Sequence, residues 1–117
     1  MDKPELEFQI PDGEWRPAGG PVEGINEMIL SASADSPDHT RILRFDPGVD
    51  SSENGALTHE FWEEVYIVSG DLTDLRLDQT FTAGMYACRP PGMPHGPWTS
   101  EAGVLMVEFR HSFPSGE

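Results

Sequence analysis

Basic residues are scarce in this chain. Lys and Arg together number 7 against 21 Asp and Glu, so the formal charge is −14 at pH 7 over 117 residues. A phosphate backbone or an anionic bilayer is repelled by such a surface at any distance that salt does not screen, which argues against nucleic acid and membrane as partners. Cysteine is nearly absent too. With Cys88 alone no intrachain disulfide can form, which fits a reducing compartment. No apolar run approaches the roughly twenty residues of a membrane span, and no signal-peptide pattern is present, so a soluble cytoplasmic protein is expected. Internal repeats, low-complexity tracts and helical periodicity are also missing. The length suits one domain with one core, and an all-β sandwich or small barrel fits it comfortably.

What remains is strands and turns. Residues 1–24 are rich in Pro, Gly and acid, with Phe8, Ile10 and Trp15 as anchors. They read as an arm with at most one short strand, of the kind that covers a barrel edge or reaches a second subunit, and a homodimer is expected. Residues 25–32 form a strand, Ser33 to Asp38 punctuate it, and Thr40 to Phe45 begin another with Arg41, Leu43 and Phe45 on one side. Asp46-Pro47-Gly48 is a turn. The polar stretch Val49–Gly55 reads as a mobile connection or lid. Leu72, Leu75 and Leu77 supply a strand between Gly70 and Gly84, with a turn at Asp78-Gln79, and Val104–Phe109 makes the closing strand. Residues 25–111 are the expected barrel and 112–117 the C-terminal tail, with His111 expected exposed in that terminal stretch.

Two stretches carry chemistry. In the first, residues 84–95, the run Tyr86-Ala87-Cys88 suits a half-buried strand, Pro90 and Pro91 remove two backbone donors, and Gly92 allows the turn. Pro94 then stiffens the chain just before His95. A histidine held that firmly is prepared to act as a ligand or an acid/base group. In the second, residues 57–70, His59 is followed four residues later by Glu63, and a β-rich run leads to Gly70. Alternation puts Leu57, His59 and Phe61 on one side of a strand from Ala56, and Glu63, Val65 and Ile67 on one side of the next. If Val65 and Ile67 face inward so does Glu63, which favours it over Glu64.

These stretches resemble the two signature motifs of the cupin superfamily. The second motif, a glycine, five residues, proline, any residue, glycine, two residues, histidine, three residues and asparagine, is met by Gly84, Pro90, Gly92 and His95, with Thr99 at the last position. The first motif places Glu63 and His59 by counting back from Gly70, and Leu57 stands where its first histidine belongs. Within the superfamily the chain looks most like the cupin domain of the ChrR zinc-binding anti-sigma factor. Glu14-Trp15-Arg16-Pro17, the run from Thr40 to Gly48, Glu63-Glu64-Val65, and Gly84-Met85-Tyr86 leading to Arg89-Pro90-Pro91-Gly92 carry that likeness.

The resemblance implies a double-stranded β-helix, the jelly-roll barrel, and three of the four usual ligands of one divalent metal ion: His59, Glu63 and His95. His39 is a fourth candidate, with Glu53, Glu60 and Glu64 behind it. Two imidazoles and a carboxylate leave open positions on iron, zinc, manganese or nickel, while the loss of a ligand at Leu57 weakens the site and leaves a metal-free state open. Leu57, Phe61, Trp98 and Met106 are the expected pocket walls, and Glu64 and Tyr66 the acid/base candidates. Two functions follow. One is a metal-dependent enzyme acting on a small oxygenated organic molecule, by dioxygenase-type C–C cleavage or as a lyase or isomerase. The other is a non-catalytic module, zinc-stabilised or metal-free, that binds a small ligand or a partner protein.

Overall fold

Period-two alternation organises the architecture, which is known here as a computed structural model describing residues 3–112. The described residues form eight strands: β1 (Arg16–Pro17), β2 (Ile25–Ala32), β3 (His39–Phe45), β4 (Trp62–Asp74), β5 (Gln79–Thr82), β6 (Tyr86–Arg89), β7 (Trp98–Thr99) and β8 (Val104–His111). All pairings are antiparallel, in the order β1-β2-β3-β8-β4-β5, with β6 and β7 also on β4. The described residues contain one 3-10 turn, Ser52–Asn54, and no α-helix. This is the all-β jelly-roll barrel expected from the motifs.

The inward faces of the four long strands share one layout. Ile25 leads to Glu27, Phe45 and Leu43 to Arg41, Ile67 and Val65 to Glu63, and Val104 and Met106 to Glu108. The pairings Leu43↔Met106, Ile67↔Met106, Arg41↔Glu108 and Val65↔Glu108 stack these residues in rungs across the sheet. One end of the barrel is therefore an apolar core of Ile25, Leu43, Phe45, Val49, Val65, Ile67, Leu72, Val104 and Met106. The other end is lined with charge.

The structure departs from the sequence reading at five places. Residues 56–61 are not a strand: Leu57 makes an isolated bridge with His95, and regular pairing begins only at Trp62. Gly70 does not end a strand. It lies inside β4, at φ +90°, where the strand crosses from its partners β8 and β6 to β5 and β7, and a Cβ there would collide with the Gly103 carbonyl. Leu75 and Leu77 belong to an exposed turn held by Asp74, whose Oδ1 accepts from the backbone N–H groups of Arg76 and Leu77. The segment 49–55 is pinned, because Val49 and Ser51 are buried and Ser51 accepts from the Trp98 N–H through its hydroxyl. Finally, β8 is an interior strand between β3 and β4, and it includes His111, whose ring stacks on Trp62 and bonds Glu64 at 3.0 Å.

The described part of the arm contributes only β1 to the sheet, and Phe8 and Ile10 are exposed on it. Residues 113–117 lie outside the described residues. No helix among the described residues is long and apolar enough to cross a membrane.

Candidate metal centre

The two histidines come from irregular segments locked to each other. Leu57 and His95 exchange both backbone hydrogen bonds, at 2.8 and 2.9 Å, and the Gly92 N–H donates to the His59 carbonyl at 2.8 Å. A Pro90–Met93 turn closes the same loop. The two proline rings and Gly92, at φ +85°, make that path attainable. His95 Nδ1 lies 3.4 Å from the Met93 carbonyl, an orientation that aims Nε2 into the barrel. Glu63 arrives differently, as the second residue of β4, in phase with Val65 and Ile67.

The three side chains converge. His59 Nε2 stands 3.1 Å from His95 Nε2, and Glu63 carboxylate oxygens lie 3.6 Å from His59 Nε2 and 3.8 Å from His95 Nε2. One ligand atom from each falls within 4.8 Å of the others. Ligand atoms about 2.1 Å from a common divalent ion are separated by roughly 3.0–3.4 Å at octahedral or tetrahedral angles. The donor set and its spacing fit such an ion after small side-chain adjustments. Burial lowers the pKa of both histidines: for His59 the attraction of Glu63 opposes this and Arg110, Arg89 and Arg41 reinforce it, while for His95 Arg89 adds to the lowering. Both imidazoles are thereby biased to the neutral form that can ligate.

Arg89, which the sequence reading did not single out, changes the electrostatics. Its Nη1 donates to Glu63 Oε1 at 2.8 Å, and its guanidinium sits over the Trp98 ring. Glu63 thus has one oxygen committed to a cation before any metal arrives. Beyond it runs a chain of ion pairs, Arg16–Glu27–Arg41–Glu108, with contacts of 3.1, 2.9 and 2.6 Å. Burial raises the pKa of Glu108 despite Arg41. Glu27 is held below its ordinary value: burial pushes it up, but the bonds and charges of Arg41 and Arg16 together outweigh that. Alternation held the signal for this ring, since Glu27, Arg41 and Glu108 are each in phase with core residues of their strands.

Three cavities meet at the cluster. A polar one of about 330 Å³ includes His59, Glu63, Phe61, His39, Arg41 and Arg110 in its walls. A second, of about 210 Å³, is bounded by Leu57, Trp98, Phe45 and Leu43 beside all three clustered residues. The third, of about 180 Å³, is largely apolar and reaches His95 and Arg89 past Met106, Phe81 and Met93. The four expected wall residues are therefore shared out: Phe61 to the first cavity, Leu57 and Trp98 to the second, Met106 to the third. His39 lines the polar cavity with Nδ1 at 2.9 Å from the Pro37 carbonyl, outside the three-residue cluster. The pleat of β4 turns Glu64 and Tyr66 to the outer face. There Glu64 accepts from the Tyr86 hydroxyl and pairs with His111, and neither residue borders these cavities. Glu53 and Glu60 are exposed and stand apart from the cluster.

Comparison with known proteins agrees with the barrel. The family described as the ChrR cupin-like domain matches residues 4–114. No curated protein matches the chain. Among solved structures, an RmlC-like cupin from Shewanella frigidimarina superposes with a TM-score of 0.71 at 19% identity, covering 98% of this chain and 97% of its own. An acetylacetone dioxygenase from Acinetobacter johnsonii gives 0.70 at 18% identity, over 92% of this chain and 74% of its own. The Rhodobacter sphaeroides complex of SigE with the anti-sigma ChrR gives 0.64 at 19% identity, covering 88% of this chain and 52% of the matched one. At such identities these likenesses establish the barrel and nothing finer.

Proposed function

Because this chain belongs to the ChrR cupin-like domain family, we propose that it is a metal-dependent cupin enzyme acting on a small oxygenated organic molecule. The observation that carries the reading is the convergence of His59, Glu63 and His95 where three cavities meet. A divalent ion held by these residues would supply Lewis-acid chemistry at a substrate oxygen. Leu57, standing where the resemblance expects a ligand, joins Leu43, Phe45 and Trp98 to give the second cavity an apolar wall beside the cluster. Arg89 orients Glu63, and the Met93 carbonyl orients His95.

A second reading has its own support. The Arg89–Glu63 pair already neutralises the carboxylate, which favours a non-catalytic module that binds a small ligand or a partner protein. Turnover separates the two. Protein loaded in turn with iron, manganese, nickel and zinc is assayed for oxygen uptake and product formation with diketones, enols and catechol-like compounds. The enzyme reading expects turnover with at least one metal, abolished in His95→Ala. A fully loaded protein that turns over none of them favours the module.

A further inference from the structure

The walls of the polar cavity carry three arginines, Arg16, Arg41 and Arg110, and three glutamates, Glu27, Glu63 and Glu108, but Arg89 engages Glu63 from outside those walls, and one cation is left over. Arg16 and Arg41 are matched by Glu27 and Glu108, and Arg89 is matched by Glu63. Arg110 has no such match among the described residues. It is paired in register with Glu63 on β4 and with His39 on β3, in phase with inward-facing Glu108 and Met106. Yet Glu63 turns to Arg89, and the Arg110 guanidinium instead lies 3.7 Å over the Phe61 ring. Its Nε is buried without a hydrogen-bond partner. Phe61 in turn stacks on His59 at 4.5 Å, so aromatic contact links this guanidinium to the metal cluster. An Arg stacked on a ring keeps its edge free for bidentate contact with a planar anion, and a half-buried cation lacking a counterion stores a desolvation cost that an anion would relieve.

We infer that the polar cavity receives the carboxylate of a small organic acid, with Arg110 as its anchor, so that another oxygen of the same molecule lies beside His59, Glu63 and His95. This rests on the reading of that cluster as the reaction centre and narrows its substrate class to organic acids. In a chain of net charge −14 the anion must be selected locally, because the overall field repels it.

The test is calorimetric and needs no turnover. Malonate, succinate and glutarate are each titrated into chelator-treated protein at low ionic strength, beside their dimethyl esters. At least one diacid is expected to bind ten times or more tightly than its ester. Arg110→Gln should abolish that preference without changing ester binding, Arg110→Lys should retain part of it, and Arg44→Gln, a loss of charge outside the cavity, should leave it intact. Equal binding of acid and ester, no binding of any of the three acids, or an unchanged preference in folded Arg110→Gln would each overturn the inference. The wild-type comparison stands even if the Gln variant fails to fold. Acid preference in a protein that takes up no metal would sink the metalloenzyme reading while leaving the anion site in place.

Discussion

On the proposed metal reading, Arg89 and Leu57 govern how strongly the site takes an ion, Arg89 through its ion pair with Glu63 and Leu57 through its backbone bridge with His95. Arg89 and Glu63 form a mostly buried ion pair, so Arg89→Gln strands a carboxylate and should cost the metal-free protein about 3 kcal/mol. Because the stranded carboxylate then gains most from a cation, saturating zinc should raise the melting temperature of Arg89→Gln more than that of wild type. Differential scanning calorimetry with and without zinc checks this, and an equal rise in both proteins would contradict it. Leu57 is paired directly with His95, so Leu57→His places a third imidazole beside the cluster. Competition with a chelating indicator should show zinc affinity rising about tenfold or more. At this scale the motif spacing, read through the family resemblance, made His59, Glu63 and His95 legible. Arg89 was not, because its pairing with Glu63 depends on which strands become neighbours, and single-strand alternation carries no information about that.

Strand β4 shows what an element conceals from its sequence. Glycine reads locally as a stop, yet Gly70 lets one thirteen-residue strand serve two sets of partners, aided by a register shift between Ile67 and Ser69. The expected consequence is a contrast between glycines. Gly70→Ala meets both a left-handed φ and the Gly103 carbonyl, whereas Gly84→Ala meets only the unfavourable φ of +89°, with open space around it. Urea unfolding should show a loss of about 1 kcal/mol for Gly84→Ala and at least twice that for Gly70→Ala; equal losses would contradict this account of the bend. The inward phase of Glu63 with Val65 and Ile67 was legible, since period two survives wherever a strand is regular. Residues 56–61 were not, because their side chains alternate like a strand while their backbone finds only one bridge.

Across the whole molecule, the barrel divides into an apolar end and a charged end, and the charged end makes stability depend on pH. Glu27 is held below its ordinary pKa of 4.5 by Arg41 and Arg16 against the opposing effect of burial. A group lowered on folding stabilises the protein above its unfolded value, and that contribution disappears as pH falls through the folded value. Wild type should therefore exceed Glu27→Gln by about 1–2 kcal/mol near pH 7, and the gap should close as the solution is acidified below about pH 4.5. Thermal melts of both proteins from pH 3 to 7 test it, and a gap that widens on acidification would contradict it. The barrel class was legible from turns, alternation and the second motif, because these are local. The interior position of β8 was not, since strand order follows from contacts between residues far apart in sequence. The central claim, that this barrel holds a metal ion through His59, Glu63 and His95, is tested most directly by elemental analysis of protein purified without chelator or affinity metal, beside His95→Ala prepared identically. About one equivalent of a divalent metal in wild type, lost from the variant, is the expected result; a wild-type protein that carries none and binds none on addition would contradict it.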